Sequence, residues 1–155
     1  MEYDQNRLVS DFAERTLANL ELVRNSRRLH PDKSAYEVTQ LINSMLGLLV
    51  FPKEEFMKEI PQIPLGELQS QGWPIPDVRP EIKQAVHLQQ FLCFLRNGIA
   101  HFNVEFLSDK RKEISGIRIW NESRDGTKNW EADLTLEQLE GIAVRFIEML
   151  KGINS

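Results

Sequence analysis

Apolar residues recur every three or four positions over most of the chain, which is the spacing of helices that each bury one face. The pattern predicts helices over residues 6–28, 34–50, 53–60 and 80–106, and a last helix from residue 135 through Leu150. Short connections between successive helices favour antiparallel neighbours. We therefore expect a mainly all-α fold, an up-down antiparallel bundle of four to five helices, in a single domain over residues 1–155.

Two capping boxes mark helix starts in this pattern. Ser34 with Glu37 forms the first, and Thr135 with Gln138 forms the second. In a capping box the first side chain accepts a hydrogen bond from a free backbone N–H, and the second side chain reaches back to the cap residue. The second box predicts where the last helix begins.

Two segments depart from the helical spacing. Residues 61–80 hold five of the seven prolines, which predicts an irregular loop that covers an edge of the core, flanks a functional site or joins a dimer contact. Alternating residues at 117–120 and 129–132 surround the turn pair Asp125-Gly126. They predict a small β-hairpin before the last helix, inserted over residues 114–134.

The helix predicted over residues 80–106 carries both the clearest core stripe and the clearest polar cluster. Its stripe consists of Leu88, Phe91, Leu92, Leu95, Ile99, Phe102 and Phe106. Arg96 lies on the flank of that stripe. Asn97 and His101 lie on the opposite face, which also holds apolar residues and so is expected to pack on a partner. Arg96 and His101 are about 140° apart around an ideal helix. Either the helix loosens at Gly98, or the arginine of one chain completes the histidine of another.

A structural interpretation of these residues also exists. A single histidine on a partly apolar face is commonly a hydrogen-bonded core residue, and an arginine near a helix end commonly caps the helix or is solvated. Spacing alone does not separate these interpretations from a catalytic role.

The polar cluster resembles a known motif. Arg96-Asn97-x-x-x-His101 is similar to the Arg-x(4–6)-His motif of the HEPN superfamily, in which a polar residue commonly follows the arginine. The helical context, with the motif late in a short chain on a long helix, is similar too. The resemblance implies a metal-independent ribonuclease that works as a homodimer, often a toxin or defence effector. Other members have lost activity and serve as binding or scaffold modules.

The resemblance assigns a role to each residue of the motif. His101 would transfer a proton, Arg96 would hold the phosphate, and Asn97 would orient the histidine or bond the phosphate. The sequence contains no spacing typical of a metal site and no phosphate-binding glycine loop, so we expect no metal and no cofactor.

Two basic groups are candidates for RNA binding. Arg24, Arg27 and Arg28 close the first predicted helix, and Lys110 and Arg111 follow the polar motif. The commoner interpretation of the first group is charge that complements the helix dipole. The commoner interpretation of the second is a solvated loop.

Composition limits the remaining choices. The net charge of −4 and the pI of about 5.5 argue against a general nucleic-acid coat protein, but they allow a nuclease with a local basic patch. The single cysteine, Cys93, excludes an internal disulfide. The polar N-terminus and the absence of an apolar run of about 20 residues predict a soluble, cytoplasmic protein without membrane contact.

The expected partners are a second copy of the chain, an RNA substrate and a cognate antitoxin protein. The alternative function is a non-catalytic helical dimer that acts as an antitoxin, immunity factor or adaptor. A third interpretation is an enzyme of another class whose site lies under the loop of residues 61–80.

Overall fold

The computed structural model describes residues 8–29, 37–50, 54–76 and 85–153. Within these ranges the chain forms six helices and three strands: α1 Leu8–Leu29, α2 Glu37–Val50, α3 Glu54–Glu59, α4 Leu65–Ser70, α5 Leu88–Ala100, β1 Val104–Ser108, β2 Ile114–Glu122, β3 Lys128–Thr135 and α6 Leu136–Ile153. The prediction of a mainly all-α bundle with a small hairpin is therefore wrong. The fold is mixed, with helices packed on a three-stranded antiparallel sheet of order β1-β2-β3.

The long helices pack around one core, as the apolar spacing predicted. Met45, Leu48 and Leu49 of α2 are fully buried, and the ring of Phe12 on α1 lies directly over Gly47 of α2. The capping box at Thr135 is confirmed, because its hydroxyl accepts from the backbone N–H of Gln138 at 3.1 Å and the Gln138 amide oxygen accepts from Thr135 N–H at 2.9 Å. Ser34 of the other box lies outside the described residues.

The helix predicted over residues 80–106 is shorter than expected at both ends. It runs from Leu88 to Ala100, because Ala85 and Val86 are not helical and His87 is its N-cap. Residues 80–84 lie outside the description. The Phe102 N–H bonds the Ile99 carbonyl at 3.1 Å and the Asn103 N–H bonds the Gly98 carbonyl at 2.8 Å, the bond pattern of a Schellman motif. Phe102 takes the left-handed conformation that such a motif requires, with φ of 55°.

Beyond this turn the chain becomes strand β1, which the helical interpretation missed. Phe102 and Phe106, expected in the core, are 69% and 47% exposed. Their spacing of four fits a helix, but Phe102 lies in the turn that ends α5 and Phe106 lies in strand β1. Val104 of β1 pairs with Ile119 of β2, so the new strand extends the predicted hairpin into a sheet.

One face of the sheet forms the second wall of the core. Ile117, Ile119, Ala132 and Leu134 are buried there against the helices. A Cβ placed on Gly98 of α5 would lie 2.5 Å from Cγ1 of Ile119, so only glycine permits this approach of helix and sheet. The helix does not loosen at Gly98, since it continues unbroken to Ala100.

Both turns of the sheet are short. Strands β2 and β3 form the predicted hairpin as part of the larger sheet, and Gly126 supplies the positive φ of 80° that its turn needs. Lys110 and Arg111 form the tip of the β1–β2 hairpin rather than a loop after a helix. There the Asp109 carboxylate accepts from the backbone N–H groups of Arg111 at 2.8 Å and Glu113 at 3.0 Å.

The proline-rich segment is more ordered than a plain loop. Helix α4 lies inside it, and its Leu68 and the following Trp73 are buried in the core. The Leu65 N–H bonds the Val86 carbonyl and the Leu88 N–H bonds the Ile63 carbonyl, so the segment is joined to the start of α5. Residues 77–80 lie outside the description. In the described part of the chain, no helix has the length and apolar character needed to cross a membrane.

Candidate functional site: an open groove beside helix α5

Helix α5 separates its core residues from its polar residues as predicted. Its core side chains are 4% exposed or less, and these are Leu88, Phe91, Leu92, Leu95 and Ile99. The opposite side of the helix is partly or fully exposed. This exposed face carries Arg96, Asn97 and, at the helix end, His101.

His101 is the C-cap of α5. Its backbone N–H bonds the Asn97 carbonyl at 3.0 Å, and its side chain is exposed. The side chains of Arg96, Asn97 and His101 make no hydrogen bond or ion pair with any residue that the structure describes. His101 is therefore not a hydrogen-bonded core residue, and the imidazole is open to solvent.

Arg96 lines an open groove of about 680 Å³ between α3 and α5. The described residues that line this α3–α5 groove are Met57 and Lys58 from α3 and His87, Gln89, Gln90, Cys93, Phe94 and Arg96 from α5 and its N-cap. His101 does not line it. Within one protomer, the structure thus brings Arg96 together with His87 in one groove and leaves His101 at the end of the helix.

His87 holds the start of α5. Its Nδ1 accepts from the backbone N–H of Gln90 at 3.2 Å, and the Gln90 Oε1 accepts from the Val86 N–H at 2.9 Å. This exchange resembles a capping box. In the sequence, a residue with a side-chain acceptor followed three positions later by glutamine is the signal of this cap.

Helix α3 is tied to α5 through one side chain. The Gln89 amide donates to the Met57 and Lys58 carbonyls at 3.0 and 3.2 Å, and it accepts from the Gln62 amide at 3.0 Å. These bonds hold α3 against α5. They fix the width of the groove and leave the Lys58 ammonium exposed at its wall.

The comparisons with known proteins bear on the whole chain. A family model described as HEPN pEK499 p136 matches residues 1–155. The chain belongs to this HEPN family. Neither the curated proteins nor the solved structures gave a match. The match confirms the resemblance to the HEPN superfamily. Membership suggests a ribonuclease or toxin-type function, and it does not assign catalytic residues.

Arg24 and Arg28, the members of the first basic group whose side chains the structure describes, do not line the groove. Arg24 on α1 forms an ion pair with Glu140 on α6 and lines a separate cavity with Arg145. Arg28 is exposed, and the side chain of Arg27 lies outside the description. For Arg24, this ion pair joins two helices and leaves less of its charge available to a ligand.

The second basic group lies at the far end of the sheet of the HEPN domain. Lys110 and Arg111 are exposed at the β1–β2 tip. Strand β1 leads there from the end of α5, and its five residues span roughly 17 Å. Lys110 and Arg111 are thus separated from His101 by the length of the strand.

The structure also bears on metal binding. Among residues 8–29, 37–50, 54–76 and 85–153, no three His, Cys, Asp or Glu side chains are grouped as a metal site would require.

Proposed function

We propose that this HEPN domain is a metal-independent endoribonuclease, acting as a toxin or defence effector, with a composite Arg/His site on a homodimer. The observation that supports it most directly is the placement of Arg96, Asn97 and His101. All three stand on the accessible side of α5, and none of their side chains bonds another described residue. The core of α5 is complete without them, so their side chains are available for a ligand.

These three side chains suffice for RNA cleavage by the neighbouring 2′-hydroxyl. The 2′-oxygen forms a bond to phosphorus while its proton passes to a base, and the bond from phosphorus to the 5′-oxygen breaks as that oxygen gains a proton. His101 transfers a proton in this exchange, and the Arg96 guanidinium bonds the phosphoryl oxygens as their negative charge grows. Asn97 orients the imidazole or bonds the phosphate. The products are a 2′,3′-cyclic phosphate and a 5′-hydroxyl.

A second copy of the chain would complete this site. Arg96 and His101 are about 140° apart on an ideal helix, so the arginine of one protomer is better placed to meet the histidine of the other. Exposed apolar side chains adjoin the helix: Val86 at its start and Phe102 and Phe106 after its end. An interface with a second chain along α5 would bury these side chains at both ends of the helix. A twofold dimer that covers them would face the two motifs toward each other.

The test is RNA cleavage by purified protein in the presence of EDTA. We expect cleavage to 2′,3′-cyclic phosphate ends, and His101→Ala to lower the rate by about 10²- to 10⁴-fold, which is the usual contribution of a proton-transfer group. Arg96→Ala should lower the cleavage rate as well, because the phosphate loses its guanidinium partner. Lys151→Met, on α6, serves as a control that should cleave normally. Equal cleavage by the parent and His101→Ala would remove His101 from the mechanism.

The exposed apolar side chains at the two ends of α5 also fit the second candidate, a non-catalytic dimer that acts as an antitoxin, immunity factor or adaptor. Growth of cells that express the parent, Arg96→Ala or His101→Ala separates the two functions. Toxicity that either substitution relieves, with helical circular dichroism unchanged, supports the nuclease. Absence of toxicity in the parent, together with loss of helical structure in the variants, supports the structural role of the motif.

A further inference from the structure

We propose that the α3–α5 groove binds the RNA strand next to the scissile phosphate, with Lys58 and His87 bonding its phosphates and Phe94 stacking on a base. The inference rests on the proposed function, and it adds a substrate-binding surface that lies outside the Arg/His motif. Arg96 belongs to the groove and to the motif, because it lines the groove and supplies the guanidinium of the motif. The groove is therefore continuous with the cleavage site.

The surface of the groove is mostly apolar, and four of its side chains carry hydrogen-bond donors directed at no described partner: Lys58, His87, Gln90 and Arg96. Lys58 and Arg96 bring two cations, and neither forms an ion pair with a residue that the structure describes. The described lining contains no carboxylate, although acidic residues outnumber basic ones in the chain, 23 to 19. A surface that gathers unpaired cations in an acidic protein favours an anionic ligand.

The hydrogen bonds at the N-cap of α5 determine which donors the neutral side chains of His87 and Gln90 keep for a ligand. His87 Nδ1 is occupied as an acceptor, so the neutral ring carries its hydrogen on Nε2. Gln90 Oε1 is occupied as well, which leaves its amide NH₂ to donate. Both side chains line the groove. They add two neutral donors to the two cations, and phosphate oxygens are acceptors for both kinds of donor.

Phe94 gives the groove an aromatic surface that a simple anion would not need. Its ring packs on Trp130 of β3, with centroids 5.7 Å apart and an interplanar angle of 31°. Trp130 is fully buried, so the Phe94 ring is supported from the core while it remains partly exposed in the groove. Aromatic rings beside cations are the usual combination for single-stranded nucleic acid, because bases stack on the ring while cations meet the backbone.

The dimensions suit a strand more than a single phosphate. His87 and Arg96 are nine positions apart on α5, about 14 Å along the helix axis. A strand that passes Arg96 at the cleavage site and follows α5 would reach His87 and Lys58 further along. The volume of about 680 Å³ also falls within the range of ligand sites.

Salt dependence of RNA binding tests the phosphate contacts. The His101→Ala protein is used, so that a short single-stranded RNA stays intact. Each phosphate contact contributes about 0.7 to the slope of log K against log salt for single strands. Adding Lys58→Met should lower the slope by about that amount, whereas adding Lys151→Met, the same change on α6, should not. Adding His87→Asn, which keeps the cap acceptor, should weaken binding without loss of helical structure.

Cys93 reports directly on occupancy, because it lines the groove and is the single cysteine of the sequence. Its alkylation by iodoacetamide is followed by mass spectrometry in the same His101→Ala protein. At an RNA concentration about ten times Kd, alkylation should slow about tenfold. An acidic peptide serves as the competing occupant, and it should protect Cys93 far less because it lacks bases that stack on Phe94.

The outcomes are separable from those of the cleavage assay. RNA that binds without protecting Cys93, or a Lys58→Met slope equal to that of Lys151→Met, overturns the groove assignment even if the parent cleaves RNA. Equal protection by the acidic peptide overturns it in favour of a protein ligand. Protection by RNA with the predicted slope change supports the groove, whatever the cleavage assay shows.

Discussion

Gly98 of α5 and Ile119 of β2 lie so close that a Cβ on the glycine would be 2.5 Å from Cγ1 of the isoleucine and 2.9 Å from the carbonyl oxygen of Trp120. The glycine sits between Asn97 and His101 in the sequence, and the contact fixes the helix that carries the motif against the sheet. Its role is steric: it permits close packing of α5 on β2.

Gly98→Ala should therefore destabilise the protein. Alanine is the better helix former by about 1 kcal/mol, but separating α5 from β2 to admit the methyl group should cost about 1–3 kcal/mol, as overpacking usually does. Urea unfolding measures the difference. Gly152→Ala in α6 is the matched control, since nothing lies within 4 Å of its added Cβ. Equal stability of Gly98→Ala and Gly152→Ala would contradict the packing argument.

Phe102 is expected to contribute more to the affinity of the proposed dimer than to the free energy of unfolding. Its left-handed conformation costs a non-glycine residue about 1–2 kcal/mol, partly offset by the greater unfolded-state freedom of glycine. Phe102→Gly should thus be as stable as the parent or up to about 1 kcal/mol more stable. The dimer should weaken by about tenfold or more, because an apolar ring is lost from the proposed interface.

Unfolding curves and sedimentation equilibrium check these two expectations for Phe102→Gly. Leu22→Ala is the control, because it truncates an apolar side chain of similar exposure, 68%, on α1. A Phe102→Gly dimer as tight as that of Leu22→Ala would exclude the ring from the interface.

His87 should stabilise α5 as its N-cap. His87→Ala removes the acceptor of the Gln90 N–H and should lower the free energy of unfolding by about 1 kcal/mol. His87→Asn keeps a side-chain acceptor at that position and should restore most of the loss. The comparison is made by urea denaturation, and an equal loss in both variants would refute the capping role.

Asp125 should make the hairpin turn sensitive to acid. Hydrogen bonds from the Ser123 hydroxyl and the Thr127 N–H hold the pKa of this carboxyl below its usual value. A lowered folded-state pKa stabilises the fold above about pH 4, and this contribution is lost as the pH falls through the folded-state pKa.

The stability difference between the parent and Asp125→Asn is the measure of this effect. It should be larger near neutral pH than below about pH 3. Thermal unfolding at both pH values tests it. A difference that is independent of pH would show that the ionised carboxylate contributes nothing to the turn.

The sequence predicted the features that local signals specify. The core stripe of α5, the capping box at Thr135 and the Asp125-Gly126 hairpin turn each depend on residues close together in the chain, and each is confirmed. The family resemblance likewise rested on a short motif and is confirmed by the family match.

The end of α5 could not be predicted in the same way. Gly98 resembled the helix breaker, whereas the left-handed residue is Phe102, which has no intrinsic preference for that conformation. Phe102 and Phe106 kept helical spacing across the turn, so β1 was concealed within an apparent stripe. Pairing of Val104 with Ile119 determines the strand, and such a contact depends on the tertiary structure.

The α3–α5 groove could not be predicted from local sequence signals either. Lys58 and Arg96 are far apart in the sequence. They line one groove because the Gln89 amide donates to the Met57 and Lys58 carbonyls and holds α3 against α5. Neither residue belongs to the basic groups that the sequence suggested for RNA binding. Those groups were predicted from charged residues that are close together in the sequence, whereas the groove is formed by the packing of two helices.

The most direct test of the composite site is complementation between two inactive variants. Arg96→Ala and His101→Ala chains are co-expressed in equal amounts, and RNA cleavage by the purified mixture is compared with cleavage by each variant alone. If each site takes its arginine from one protomer and its histidine from the other, half of the dimers are mixed and one of their two sites is intact. The mixture should then recover about a quarter of the parent activity, and a mixture no more active than either variant alone would contradict the shared site.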